Sequence, residues 1–288
     1  MPVSLVFGAS GAIGRFLLPR LLAAGHDVVA SSRIPRTSGH ERLQWIAGDL
    51  YESSSRWPAA DIVFSLGPLD GCARWLAQGA EHYPRLVAIG SQSINTKSTS
   101  IDEAERALAE RLRQAEQTLA AAADAKQCEW TVLRPTLIYG AGLDRSLTPI
   151  ARFAQRWHIV PRIAGAGLRQ PVHADDIAAA CLDIANASNT AGRIYSIGGG
   201  EKLAFGAMIE RVRASLSFAT LPVPIPMPLV RIAASLARSA GAGAATAAAV
   251  ARLGRDLLVD DSAAASDFGW SPRPFRPDAG AWTPPPLP

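Results

Sequence analysis

The sequence predicts an α/β protein whose sheet is mainly parallel and covered by helices on both faces. Three observations carry that prediction. The chain opens as strand, glycine turn, helix and strand within about thirty residues, the length of a βαβ unit. Short apolar runs then recur without strict alternation, as strands buried on both faces do. Finally, residues 102–124 carry apolar side chains three or four apart, the period of an amphipathic helix.

Taken in order, Val3–Phe7 is a short apolar run stopped by Gly8, and a helix is predicted from about Ile13 to Ala24, with Gly25 as its cap. Asp27–Ser31, Leu43–Ile46, Ile62–Ser65 and Leu86–Ile89 read as the next strands. Tryptophans and alanines between the later ones suit connecting helices. On the long helix, Ala104, Leu108, Leu112, Ala115 and Leu119 form the apolar stripe. Trp130–Leu133 is a strand ended by Arg134-Pro135, and Ile194–Ile197, closed by Gly198-Gly199-Gly200, is the last strand of the sheet. Beyond it lie a proline-punctuated link, Pro222 to Pro228, an alanine-rich stretch, Ile232 to Leu253, and a loop-rich end. No internal repeat is present.

Composition narrows the function classes. The chain has 288 residues, 48% hydrophobic and 19% charged, a globular profile. Its net charge is +4 and its basic residues are almost all arginine, Lys97, Lys126 and Lys202 being the lysines. With no block of like charge and no aromatic-basic platform, nucleic acid is not expected as a partner. Cys72, Cys128 and Cys181 show no CxxC or Cys/His spacing, so neither a disulfide framework nor a metal site is expected. The N-terminus lacks the pattern of a signal peptide, and arginines and glycines interrupt Ile232–Leu253, which reads as packed helix rather than a membrane span. A cytoplasmic protein, monomer or homodimer, is the expectation.

The glycine turn is the strongest functional signal. Gly8-Ala9-Ser10-Gly11-Ala12-Ile13-Gly14 ends the first strand and opens the helix. Glycines there let the backbone turn tightly and let a pyrophosphate approach N–H groups at the positive helix end. The spacing is GxxGxxG rather than GxGxxG; its position between two strands makes it a Rossmann-type dinucleotide site. NAD binding usually places an acid at the end of the second strand, whereas NADP needs positive charge. Here the strand runs into Ser31-Ser32-Arg33, with Arg36 close behind and no acid nearby. A guanidinium can clamp a phosphate bidentately. NADP is therefore the expected cofactor, with NAD possible.

Several segments together resemble a known family, the extended and atypical short-chain dehydrogenases/reductases, also called the NAD-dependent epimerase/dehydratase family. They are GASGAIG at 8–14, AGDL at 47–50, LRPTLIYG at 133–140, LRQPVHADDIAAA at 168–180 and DDSAAASDFGWSPRPF at 260–275. The resemblance implies a Rossmann domain of residues 1–140 plus about 172–200. It also implies a small discontinuous substrate domain of about 141–171 plus 201–277, leaving a mobile tail at 278–288. It places Asp49, beside Leu50, at the adenine and makes Ser91 the catalytic Ser/Thr. Arg134-Pro135 and Tyr139-Gly140 fall beside the nicotinamide, and Arg169 on the diphosphate of a nucleotide-sugar. His173, Asp175 and Asp176 would fix loop geometry.

One departure from the family is plain. Its working members carry Tyr-x-x-x-Lys, in which tyrosine moves the proton and lysine lowers its pKa. Tyr51, Tyr83, Tyr139 and Tyr195 are followed four residues on by Ser55, Val87, Leu143 and Gly199, so no such pair exists. Matching Ala115-Glu116-Gln117 to the family puts Leu108 and Leu112 in those positions. Tyr139 is left as a candidate phenol, Ser91 and Ser93 as hydroxyls that could orient a carbonyl, and Arg111 or Arg113 as a replacement charge. Two functions follow. One is an NADP-dependent oxidoreductase or epimerase-like enzyme acting on a nucleotide-sugar or another small carbonyl compound. The other is a non-catalytic dinucleotide-binding module, a redox sensor or assembly subunit.

Overall fold

A computed structural model describes residues 1–52, 56–163, 167–226, 228–230, 232 and 253–288. The expected packed helix at Ile232–Leu253 falls almost wholly outside the described residues.

The sheet has seven strands, all parallel: β1 (Val3–Phe7), β2 (Asp27–Ser32), β3 (Leu43–Ala47), β4 (Ile62–Ser65), β5 (Arg85–Ile89), β6 (Glu129–Pro135) and β11 (Arg193–Ile197). Their spatial order is β11-β6-β5-β4-β1-β2-β3. The order reverses at β1, so the C-terminal ends of β1 and β4 diverge into a crevice, the usual ligand position in such sheets. Helices α1 (Gly14–Ala23) and α6 (Ala174–Asn186) cover one face, and α2 (Leu69–Gln78) and α4 (Glu103–Ala125) the other. Leu5 and Phe7 point to the α2/α4 side while Val6 points to the α1/α6 side, and all three are fully buried. That two-sided burial explains the unbroken apolar runs.

The expected strands all form, within a residue or two at each end. One expected connecting helix does not. Between β3 and β4 the described residues hold no helix; Trp57 there packs edge-on against Phe7, with centroids 4.9 Å apart. The stripe of α4 also differs. Ala104 is exposed and Leu108 and Leu112 are only half-buried, whereas Glu105 and Glu116 face inward. Both carboxylates are paired, Glu105 with Lys97 and Glu116 with Arg134. A charge is buried only when paired, and this pairing rotated the face that hydrophobicity alone assigned.

A third apolar cluster lies outside the sheet. Leu147, Ala151 and Ala154 of α5 (Thr148–Trp157) and its approach meet Met208, Ile209 and Val212 of α7 (Phe205–Ala214), with Tyr139, Phe275, Ala281 and Trp282. Short ladders flank it: β7 (Ile138–Tyr139) with β10 (Val172–His173), β8 (Ile159–Ile163) with β13 (Leu221–Ile225), and β9 (Leu168–Arg169) with β12 (Leu203–Ala204). Within segment 278–288, the tail expected to be mobile, two side chains join this cluster. Ala281 and Trp282 are buried, the Trp282 indole donates to Ser215 Oγ at 2.8 Å, and Arg15 donates to the Pro285 carbonyl. An indole carries a large apolar area and one N–H to satisfy, and the cluster with Ser215 meets both needs.

The last helix, α8 (Ser262–Phe268), is tied to the sheet by the Tyr195 hydroxyl, which donates to Asp267 at 2.7 Å. No described helix is long and apolar enough to cross a membrane.

Candidate active site at the glycine turn

The first strand ends in a backbone that only glycine adopts comfortably. Gly8 has φ +72°, and a Cβ on it would meet the Leu66 carbonyl carbon at 2.8 Å. At Gly14 the constraint is contact, since a Cβ would stand 2.3 Å from the Ala9 carbonyl oxygen. Strand β1 and helix α1 therefore meet closely, and the positive N-terminal end of α1 points beyond the sheet, with Arg15 N–H on the Gly11 carbonyl at 3.2 Å and Phe16 and Leu17 N–H on the Ile13 carbonyl at 3.0 Å each. Ser10 uses its carbonyl to hold the Arg15 guanidinium at 3.1 Å.

In front of this turn lies a cavity of about 730 Å³. Ala12 and Ile13 line it from the turn that joins the end of β1 to α1, Leu66 and Gly67 from the end of β4, and Ile89, Gly90 and Ser91 from the end of β5. Pro135 to Ile138 line it beyond β6. All are C-terminal ends of parallel strands. The wall is held by backbone bonds between neighbours, Gly90 N–H to Leu133 O at 2.8 Å and Gln92 N–H to Pro135 O at 3.1 Å. Ser91 Oγ accepts from Ser93 N–H at 3.2 Å, which starts the one-turn helix α3 (Ser93–Thr96). The far side is closed by Leu143–Ser146, Arg169, Gln170 and Leu257.

The site residues expected from the sequence fall into two groups. Ala12, Ile13, Ser91, Ser93, Pro135 and Arg169 share the cavity wall, and Gly8, Ser10, Gly11 and Gly14 form the turn at its edge. The others lie elsewhere. The Arg134 guanidinium is engaged by the buried Glu116 carboxylate, through Nε at 2.7 Å and through Nη2. Asp49 accepts from Tyr51 N–H at 3.0 Å, and Leu50 packs under the α2 face. Arg33 is exposed, whereas Arg36 leans over the Trp45 ring, 5.6 Å from its centroid, with Nε on Ser32 Oγ at 3.2 Å. Arg111 and Arg113 stand near Asp70 and Glu110, off the wall.

Tyr139 corrects an expectation. It is 1% exposed, set edge-on to His173 and Phe275, in the apolar cluster rather than on the cavity. Ile138 is the wall residue, and successive side chains of a strand point to opposite faces. Burial, helped by the Asp176 charge, pushes the Tyr139 phenol up to about 12. It has the ionisation of a core tyrosine.

His173 Nδ1 accepts from Asp175 N–H at 3.1 Å and so caps α6. Asp175 binds Arg20 and Arg273, and Asp176 binds Arg273, fastening the C-terminal segment to that helix. These residues hold geometry.

Two residues that sequence reasoning passed over belong to the site. Arg15 follows the third glycine directly, and after burial the Arg36 charge is what lowers its pKa, so the two guanidiniums share one neighbourhood beside the end of β2. Its position in the glycine motif was the available signal. Lys97, on the cavity wall at the end of α3, had none.

The model of a family described as NAD(P)H-binding matches residues 8–187. The chain belongs to that family. Its match begins at Gly8, directly after β1, and runs through α6, so it takes in the glycine turn and the ends of β4, β5 and β6 that line the cavity. Among curated proteins, NADH dehydrogenase [ubiquinone] 1 alpha subcomplex subunit 9 of Dictyostelium discoideum is 22% identical over 236 residues, covering 73% of this chain and 63% of the relative. The Arabidopsis thaliana protein of the same name is 25% identical over 221 residues, covering 68% and 54%. The chain thus spans between 54% and 63% of the length of these relatives.

Solved structures share the fold across the whole chain. MoeE5 in complex with UDP-glucose and NAD has a TM-score of 0.69 at 20% identity, with 97% of this chain and 96% of that one covered. The UDP-glucuronic acid 4-epimerase of Bacillus cereus, in complex with NAD, has a TM-score of 0.69 at 14% identity, with 98% and 97% covered. The UDP-glucose 4-epimerase of Thermotoga maritima, with UDP-glucose, has 0.68 at 15%, with 98% and 97% covered. These neighbours, two of them 4-epimerases, show that the Rossmann-type α/β fold expected from the motifs holds, and the matching family model bears out the NAD(P)-binding side of the resemblance.

Proposed function

We propose that the protein is an NADP-preferring oxidoreductase or epimerase-like enzyme that acts by hydride transfer on a nucleotide-sugar or another small carbonyl compound. The observation that carries this reading is the single cavity that joins the glycine turn, at Ala12 and Ile13, to the hydroxyls of Ser91 and Ser93. A bound nicotinamide dinucleotide would supply the hydride. The chain's own residues fit such a group: the turn at Ala12 and Ile13 and the positive N-terminal end of α1 would take the pyrophosphate, and Gly8 and Gly14 let β1 and α1 meet closely enough to form that turn.

Arg36 and Arg15, with the exposed Arg33 directly after β2, favour a 2′-phosphate over a bare ribose. Ser91 would receive the carbonyl oxygen as charge builds on it. Arg169 supports an anionic substrate from the other side of the cavity, where its Nη1 is anchored on the Leu168 and Arg255 carbonyls at 2.8 Å each. The neighbours crystallised with UDP-sugars favour the nucleotide-sugar class.

The second reading, a non-catalytic dinucleotide-binding subunit, is favoured by the names of the curated relatives and by the missing Tyr-x-x-x-Lys. Single-turnover oxidation of bound NADPH against a panel of UDP-sugars with keto groups and simpler ketones and aldehydes separates the two. Oxidation with at least one member, slowed by Ser91→Ala, is expected. Tight NADPH binding with no member turned over gives the second reading the lead.

A further inference from the structure

Carbonyl reduction needs a proton for the new alkoxide, and the cavity identifies one source. Among the described wall residues, Ser91, Ser93, Thr96, Thr136 and Ser146 carry hydroxyls, which relay protons but hold none to spare at neutral pH. Arg145 and Arg169 stay protonated. Asp144 is occupied as the cap of α5. Its Oδ1 accepts from the N–H groups of Ser146, Leu147 and Thr148 at 2.9, 2.6 and 3.1 Å, and its Oδ2 from the Thr148 hydroxyl. Lys97 remains, an ammonium that can both give and regain a proton.

The placement of Lys97 supports that role. Its backbone N–H bonds to the Ser93 carbonyl at 3.0 Å, so Ser91, Ser93 and Lys97 form one rigid turn along the wall. Behind it, Glu105 approaches Nζ at 3.6 Å and is itself held by the Ser100 hydroxyl at 2.7 Å. The Glu105 side chain is 10% exposed and that of Lys97 23%, so Lys97 lines the cavity while Glu105, off the wall, backs it. Glu105 is one of the inward-facing acids that turned the stripe of α4. Its burial on that helix is accounted for by Lys97.

We propose that Lys97 is the proton donor of this cavity and Glu105 its positioning residue, in place of a tyrosine phenol. This rests on the hydride-transfer reading. As the carbonyl carbon accepts hydride from the reduced nicotinamide, the C=O π pair moves to oxygen, and that oxygen takes a proton from Lys97 Nζ. The products are the alcohol, the oxidised dinucleotide and a neutral lysine amine, which water at the cavity mouth protonates again. Ser91 and Ser93 orient the oxygen. Glu105 keeps the amine aimed at it.

The test begins with a readout independent of turnover. The lysines are Lys97, Lys126 and Lys202, so reductive methylation with ¹³C-formaldehyde gives a small set of NMR signals, and Lys97→Arg assigns one by its loss. On addition of NADP⁺ the Lys97 signal shifts and the Lys202 signal does not; an unmoved Lys97 signal overturns the proposal. Kinetics follow on the unmodified protein. Lys97→Ala and Lys97→Arg each slow single-turnover NADPH oxidation by ~10²–10⁴-fold, with NADPH affinity within about twofold of wild type. Ethylamine restores part of the rate to Lys97→Ala alone. Glu105→Gln lowers the rate with unchanged NADPH affinity.

If Lys97→Arg keeps the wild-type rate, the residue supplies charge only and the donor assignment is wrong while hydride transfer stands. An NADPH affinity that falls in step with the rate also overturns it. A wild type that oxidises NADPH with no carbonyl removes the hydride-transfer reading itself, and the proposal with it.

Discussion

Tyr139 and Ile138 show how one residue of register decides chemistry. In a two-residue strand one side chain meets the cavity and the next meets the core, and here the aliphatic one has the cavity. Tyr139 thereby becomes a packing residue with a high phenol pKa, raised to about 12 by burial before the Asp176 charge. The phenol oxygen is hydrogen-bonded to the Arg276 backbone, so Tyr139→Phe is expected to cost about 0.5–1.5 kcal/mol of stability, the worth of that one bond, and to leave single-turnover hydride transfer unchanged. Denaturant titration and stopped-flow absorbance check the two halves. A rate loss without a stability loss would put the phenol back in the mechanism. Lys97 is the complementary case, a residue on the wall that no spacing rule marks, because its partner Glu105 lies on a different helix.

At the scale of elements, α4 and α6 are fixed by charge as much as by apolar area. On α4, Glu116 lies 5% exposed against Arg134, so the expected cofactor arginine instead fastens the helix to β6. On α6, burial raises the Asp175 carboxyl, but hydrogen bonds from Arg20 and then Arg273 outweigh it and hold the pKa below its usual value. A depressed carboxylate stabilises the fold above its unfolded pKa, about 3.9, and that contribution is lost as pH falls through the lower folded value. The melting temperature of the wild type should therefore fall from about pH 4 downward, and Asp175→Asn should flatten that fall while lowering the melting temperature at pH 7. Calorimetry across pH 3–7 reads both. An Asp175→Asn protein with the wild-type acid slope would remove the carboxylate from the account.

For the whole molecule, much was legible from residues alone. The apolar runs gave the strands because each is buried on two faces, and the glycine turn gave the cavity's edge because only glycine satisfies Gly8 and Gly14. What was not legible depends on contacts distant in sequence. Inward-facing Glu105 and Glu116 broke the period of α4 because their partners come from α3's end and from β6. Trp57 packs edge-on against Phe7 where a helix was expected, and Trp282 brings part of a proline-rich tail into a core. Arg15 gained significance only when Arg36 folded beside it.

The central claim is that the turn at residues 8–14 binds a nicotinamide dinucleotide with its phosphates against α1. Calorimetric titration of NADPH and NADH into wild type, Gly11→Asp and Arg36→Ala measures it. A Cβ at Gly11 would meet the Gly8 carbonyl oxygen at 3.0 Å, a tight contact that the turn must relieve locally, and no other atom of the described residues beyond its chain neighbours lies within 4 Å. The variant is expected to keep the circular dichroism of the fold while its carboxylate repels the phosphates. Wild type is expected to bind NADPH about tenfold or more tighter than NADH, Arg36→Ala to lose that margin, and Gly11→Asp to bind neither. A wild type that binds neither dinucleotide, or a folded Gly11→Asp that binds both as wild type does, would contradict the account.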